Sequence, residues 1–239
     1  VVEEPFDHIS VGCEAFALGL DDPAEAYGPM VGERVPFGLD LEWETDGATY
    51  PYPGGVTRYE VPCRVHGEVL VGDERIELDA IGQRDHSWGV RDWWAASWTW
   101  TAGWLDDGTR FHGTALRHGD DVVPYHPGYV QPPGGPLRPV DHTAATAETG
   151  DPPGARRMGM PTAATVTVGD LHLDVEPVAF APVLLVAPDG RQSRFPRALC
   201  RFHDPATGRR GAGWTEWNQP QGRLQDQPRD RAPDQAEPS

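Results

Sequence analysis

Apolar and polar positions along this chain alternate with a period of two far more often than with the helical period of about 3.6. The clearest run is Trp93 to Trp104. Trp94, Ala96, Trp98, Trp100, Ala102 and Trp104 fall on one face, and Trp93, Ala95, Ser97, Thr99, Thr101 and Gly103 on the other. At about 3.3 Å per residue such a strand spans roughly 40 Å, a length that suits a barrel stave. Four other segments read as hairpins, each with a glycine where a tight turn needs a positive φ. They turn at Gly72-Asp73, Asp107-Gly108, Gly169-Asp170 and Asp189-Gly190. Helical patterning is confined to DDPAEAYG (21–28), where Asp, Pro and Glu suit a first turn. Regularly spaced hairpins predict an all-β protein of antiparallel barrels or sandwiches rather than βαβ units. PPGGP (132–136) and ETGDPPGARRMG (148–159) read as loops, and the run from Gln219 onward is too poor in apolar residues to fold.

Length and charge narrow the function classes. The 239 residues suffice for one large all-β domain or two small ones. Acidic residues outnumber basic ones 37 to 20, a net charge of −17, which argues against a nucleic-acid partner or an anionic membrane surface. Every basic residue is an arginine, so lysine-based catalysis is excluded. Cys13, Cys63 and Cys200 are odd in number and far apart, which points to reduced thiols and a cytoplasmic protein. No apolar run is long enough to span a bilayer. The chain opens on Val with neither a charged leader nor an apolar segment, which suggests a missing upstream portion.

One stretch concentrates unlike chemistry: GQRDHSWGVRDWW, residues 82–94. On a strand, Arg84, His86 and Trp88 share one face and Gln83, Asp85 and Ser87 the other, with Gly89 permitting a bend before Arg91-Asp92. Two readings stand. In one, Arg84 and Arg91 neutralise Asp85 and Asp92 in a salt-bridged corner. In the other, only one pair, Arg91 or Arg84 with Asp92, is structural, and Asp85 or His86 faces a cavity beside Trp88 at low dielectric. There an acid keeps its proton to neutral pH and indole faces shelter positive charge, the equipment for protonating an alkene. The indoles at Trp94, Trp98, Trp100 and Trp104 are likewise either core or the wall of a cavity for an apolar ligand. Glu216 in GAGWTEW reads as a barrel-closing acid paired with an arginine. No histidine shows a zinc-binding spacing, and nucleophile-elbow, phosphate-loop and dinucleotide motifs are absent, so neither metal nor cofactor is predicted.

The motif G-x-x-R-D-H-S-W-G-x-R-D-W resembles the signature of the hydroxyneurosporene synthase (carotenoid 1,2-hydratase) superfamily and its uncharacterised actinobacterial relatives. Supporting stretches are RYE (58–60), GEVLVGDERIEL (67–78), WLDDGTRFHG (104–113) and GAGWTEW (211–217). The resemblance implies a calycin-like fold of two lipocalin-type barrels in tandem, related to those of tocopherol cyclase and some fungal Diels–Alderases. It places a first barrel, shortened at its N-terminus, over residues 1–118, a second over 119–218, and a disordered tail over 219–239. It implies an isoprenoid-like or other apolar small-molecule ligand, handled by acid catalysis or simply carried. Asp85, His86 and Trp88 match the family's catalytic Asp-His-x-Trp, with Trp94, Trp98, Trp100, Trp104 and His112 left to bind substrate. The family's Tyr-x-Asp pair on the next strand has no counterpart in FHGTALRHGD; Phe111-His112-Gly113 stands nearest.

Overall fold

The computed structural model describes residues 1–55, 57–118, 121–123, 125–149 and 159–223. The protein is all-β and calycin-like, with antiparallel pairing throughout the described residues. The first sheet contains β1 (Val2–Glu4), β2 (His8–Leu18), β3 (Arg34–Thr45), β4 (Tyr50–Pro51), β5 (Arg58–Val71) and β6 (Glu74–Ser87). It is a meander in the order β1-β2-β3-β5, with β4 continuing along the β3 edge of β5 and β6 on its other edge. Its apolar face gathers Leu41, Val61, Cys63 and Val65, with Leu39, Trp43 and Tyr59 against them. The sheet curls as a half-barrel.

The second sheet begins with β7 (Ser97–Leu105), β8 (Arg110–His118), β9 (Asp121–Val122), β10 (Gly128–Gln131), β11 (Arg138–Pro139) and β12 (Thr143–Glu148). It continues through β13 (Ala163–Val168), β14 (Leu171–Phe180), β15 (Val183–Val186), β16 (Arg191–Phe195), β17 (Arg197–His203) and β18 (Arg210–Arg223). The strand order is β11-β10-β8-β7-β18-β17-β14-β13-β12, and it curls until Thr143 of β12 donates its hydroxyl to the Thr114 carbonyl of β8 at 2.7 Å. Alternation explains the interior. Val166, Val168, Leu171, Leu173 and Val175 turn inward, joined by Phe111, Phe202, Cys200 and Trp217, while His172 and Asp174 of the same hairpin turn outward. Gly103 matters here, because a Cβ would stand 2.8 Å from the Phe202 ring and 3.0 Å from Phe111.

All four glycine turns are present, with φ between 57° and 86° at Gly72, Gly108, Gly169 and Gly190. DDPAEAYG forms a single 3₁₀ turn, Pro23–Tyr27, which the Asp22 side chain caps by accepting from the Ala24 N–H at 2.9 Å. Three expectations shift. The sheets divide between Ser87 and Ser97 rather than at residue 118, because β7 and β8 pair into the second sheet. The stave begins at Ser97 rather than Trp93: the Asp92 carboxylate accepts the Trp94 N–H at 3.0 Å and folds that approach into a turn. β18 runs on to Arg223, into the stretch assigned to a disordered tail; residues 224–239 and most of the 148–159 loop lie outside the described residues.

Candidate functional site

The two sheets meet face to side. Even positions of β7 and β8 (Trp98, Trp100, Trp104; His112, Thr114) point out of the second barrel, while their odd neighbours fill it. On β5 and β6 the corresponding face carries Arg58, Glu60, Pro62, Gln83 and Asp85, because residues paired across an antiparallel ladder share a side. Glu60 is fully buried at this junction. Its carboxylate accepts from Arg58 Nε at 2.9 Å, Trp100 Nε1 at 3.0 Å and Gln83 Nε2 at 3.1 Å. Gln83 in turn accepts from the Tyr129 hydroxyl at 3.1 Å. The second carboxylate, Asp85, takes Arg58 Nη2 at 2.6 Å, so one guanidinium serves two acids.

Burial raises Glu60, with Arg58 opposing. Burial and the nearby Glu60 charge push Asp85 up to about 6, against the pull of Arg58, although 38% of its side chain reaches solvent. His112, with no exposed surface, donates Nδ1–H to the Thr101 carbonyl at 2.9 Å and accepts the Tyr52 hydroxyl at Nε2, 2.8 Å away. Thr114 completes the chain by donating to the Tyr52 oxygen at 3.0 Å. Burial, aided by Arg58, drives His112 down to about 3, so the ring is neutral.

Opposite signs of proton linkage follow. His112 is depressed from 6.5 to about 3, so its contribution to stability is complete above pH 6.5 and is lost as pH falls towards 3. Asp85 is raised from 3.8 to about 6, so its contribution is complete below pH 3.8 and is lost as pH rises through 6. In His112→Gln the acid loss of stability between pH 6.5 and 4 should flatten or reverse relative to wild type. Denaturant midpoints across that range test it; an unchanged slope would remove His112 from the account.

Above this network lies a cavity of about 200 Å³ bounded by Trp93, Trp98, Trp100, Tyr52, Tyr125 and Leu116, with Arg58, Arg91, Asp92 and Thr114 supplying its polar wall. A second groove of about 250 Å³ runs between Pro62 and Ile81 on one side and Trp104 and Trp214 on the other. The largest cavity, about 660 Å³, lies at the turn end of the second barrel among Arg138, Asp141, Asp170 and Arg209, away from the paired acids. Among the described residues no three His, Cys, Asp or Glu side chains are placed to hold a metal ion, and no helix is long and apolar enough to cross a membrane.

The residues singled out in the sequence are separated by the strand alternation. Asp85 joins Glu60 on the face towards the second sheet. His86 points to the other face, where it accepts the Tyr59 hydroxyl at 2.9 Å and its ring centroid lies 5.2 Å from that of the exposed Trp88. Asp85 and His86 therefore cannot act on one atom. The corner pairing is also different, since neighbours on opposite faces cannot reach each other. Arg84 binds Glu3 and Tyr59, Asp92 binds Arg191 at 3.1 Å, and Arg91 takes no carboxylate among the described residues. Glu216 pairs with Arg197 at 2.9 Å. Trp98 and Trp100 line the cavity and Trp104 the groove. Trp94 stands apart, its indole donating to the Leu185 carbonyl at 3.4 Å under Arg191, and Trp93 takes its place. His112 is sealed behind Tyr52 and supports the cavity from beneath. Sequence reasoning gave no role to Glu60, Arg58, Tyr52 or Gln83, although the RYE triplet holds two of them and the 82–94 motif a third.

A family model described as "Domain of unknown function (DUF7064)" matches residues 1–221. A search of curated proteins finds no match. Among solved structures, a candidate AttH from Nitrosomonas europaea superposes with a TM-score of 0.57 at 17% identity, over 85% of this chain and 67% of that one. Kievitone hydratase from Nectria haematococca superposes with a TM-score of 0.52 at 10% identity, over 77% of this chain and 61% of the hydratase, so this chain spans less than two thirds of that protein. At these identities the likeness is one of fold, that of the lipocalin-like barrel proteins.

Proposed function

The chain belongs to the family described as "Domain of unknown function (DUF7064)", and from this premise we propose that the cavity between the sheets binds an apolar, unsaturated small molecule and transforms it by acid catalysis, as a hydratase, cyclase or isomerase. One observation carries the reading: Asp85, held up at about 6, shares with the buried Glu60 the Arg58 side chain that lines an aromatic cavity, which sets the acid one side chain behind that wall. An acid that keeps part of its protonated population near neutral pH is matched to general-acid work. In the reaction the Asp85 proton adds to one alkene carbon and the π electrons form that new C–H bond, leaving a carbocation on the other carbon. The faces of Trp93, Trp98 and Trp100 stabilise that charge. Water then adds and returns a proton to the Asp85 carboxylate; or a second double bond attacks and moves the cation to a new carbon, whose neighbouring C–H gives its proton to Asp85; or a C–H next to the first cation gives its proton to Asp85 directly. Fold kinship with a protein named as a hydratase supports the first outcome.

The resemblance to carotenoid hydratases suggests an isoprenoid. At about 200 Å³ the cavity is smaller than the roughly 300–1,000 Å³ of pockets for drug-sized ligands, so it would take a ring or chain end rather than a whole carotenoid. His86 and Trp88, in this reading, would serve a ligand lying in the first half-barrel. A non-catalytic carrier is the second reading, favoured by Glu60, whose two oxygens are already committed to three donors.

Deuterium uptake separates the two whatever the product. Incubated in D₂O with a panel of terpenoid and phenylpropanoid alkenes, the wild type should place deuterium on carbon. Asp85→Asn should lower that labelling by roughly a hundredfold or more with little change in melting temperature. Binding without any labelling would leave the carrier, and equal labelling by the variant would remove Asp85 from the chemistry.

A further inference from the structure

Arg91 lines this site and makes no ion pair among the described residues. It follows Gly89, whose φ of 118° turns the chain out of β6, and it lies in the connection to β7. That connection is pinned: Asn218 Nδ2 donates to the carbonyls of Trp93 at 2.8 Å and Ala96 at 3.0 Å, and Asp92 is held by Arg191. The Arg91 side chain is thus carried on a fixed stretch and forms part of the cavity wall, beside Tyr125 and Trp93. Its Nη2 is buried without a hydrogen-bond partner. Each nearby carboxylate makes its ion pair elsewhere, Glu60 and Asp85 sharing Arg58 and Asp92 taking Arg191, although the field of Arg91 helps to pull Asp85 down. Arg110 also leaves one buried nitrogen unbonded, but its other arm holds Asp46, so its charge is matched.

A buried guanidinium N–H without an acceptor is costly to keep, and guanidinium geometry fits a planar carboxylate. Aromatic walls next to such a group suit a flat apolar body. We infer that the ligand of this cavity is an anion, an unsaturated or aromatic carboxylic acid whose carboxylate meets Arg91 while its apolar body lies against Trp93, Trp98 and Trp100. The inference rests on reading this cavity as the ligand site, and it narrows the substrate class from neutral isoprenoids to apolar acids.

The probes are trans-cinnamate and cinnamyl alcohol, which share a carbon frame and differ in charge, with binding to the intact chain measured by quenching of tryptophan fluorescence. Wild type should bind cinnamate roughly tenfold or more tightly than the alcohol, the worth of one charge-assisted hydrogen-bonded contact. Arg91→Gln should erase that preference by weakening cinnamate far more than the alcohol, and Arg91→Lys should restore part of it. An unchanged melting temperature shows that the variant is folded. Should Arg91→Gln fail to fold, the preference of wild type over Arg91→Lys decides, since a positioned fork must outperform a point charge. Equal affinities in wild type, or a preference that survives in Arg91→Gln, would overturn the inference and leave the ligand cavity standing. If neither probe binds, the ligand-site reading fails and the inference with it.

Discussion

Glu60→Ala is expected to cost about 3–5 kcal/mol of folding stability, the penalty for stranding a buried ion-pair partner. Glu60 has no exposed surface, and its loss would leave the indole N–H of Trp100 and the Gln83 amide without their acceptor. Arg58, with 13% of its side chain exposed, would keep only Asp85. Glu60→Gln preserves shape and can still accept from two donors, so it should cost less. It also removes the charge that helps push Asp85 upward, so the Asp85 carboxyl should titrate lower than in wild type. Denaturant unfolding of both variants and carboxyl titration of Glu60→Gln provide the readouts. A Glu60→Ala protein within about 1 kcal/mol of wild type would mean that the junction between the sheets is far wetter than its geometry implies.

Phe111→Ala should be equally damaging, by about 3–5 kcal/mol, for a wholly apolar reason. The ring is fully buried and meets Phe202 edge-on, centroids 5.0 Å apart at 85°. Gly103 lies beneath both rings and has no side chain with which to fill the space vacated. The surrounding Val168 and Leu173 are held by sheet pairing, so collapse into the void is limited and the cavity term is close to full. Leu199→Ala, at a site 45% exposed on β17, is the matched control and should change stability by less than about 1 kcal/mol. Similar losses in both variants would show that the second barrel is not packed as described.

These two positions mark what could be read from the chain and what could not. Phe111 and its neighbours follow from alternation, as do the hairpins at Gly72, Gly108, Gly169 and Gly190, since both signals are local. The faces of Arg84, Asp85 and His86 were legible for the same reason, and so was the shared direction of Trp98, Trp100 and Trp104. Glu60 was not. Its importance arises from Trp100, which reaches it from another sheet, and no spacing within β5 encodes that meeting. Tyr52 is likewise a loop residue whose role is set by a histidine in β8. Trp94 was misplaced because period two was extended through a stretch where the Asp92 side chain competes for the backbone. The β7–β8 hairpin pairs into the second sheet, and a hairpin's own sequence does not reveal which sheet it will join.

β18 occupies the middle of the second sheet, between β7 and β17, although it follows every other described strand in the chain. A ribosome delivers the first half-barrel as a series of nearest-neighbour pairings that can form as they emerge. The second barrel cannot close in that way. Until residues 210–223 are made, β7 and β17 each present an unsatisfied edge, and β7 carries Trp98, Trp100 and Trp104 along it. The nascent protein therefore passes through an interval in which its most aromatic strand is an open template for any other extended chain. Arrival of the last strand ends that interval by occupying both edges at once. It also brings Asn218, which fixes the Arg91 loop, so barrel closure and completion of the aromatic cavity are the same late event.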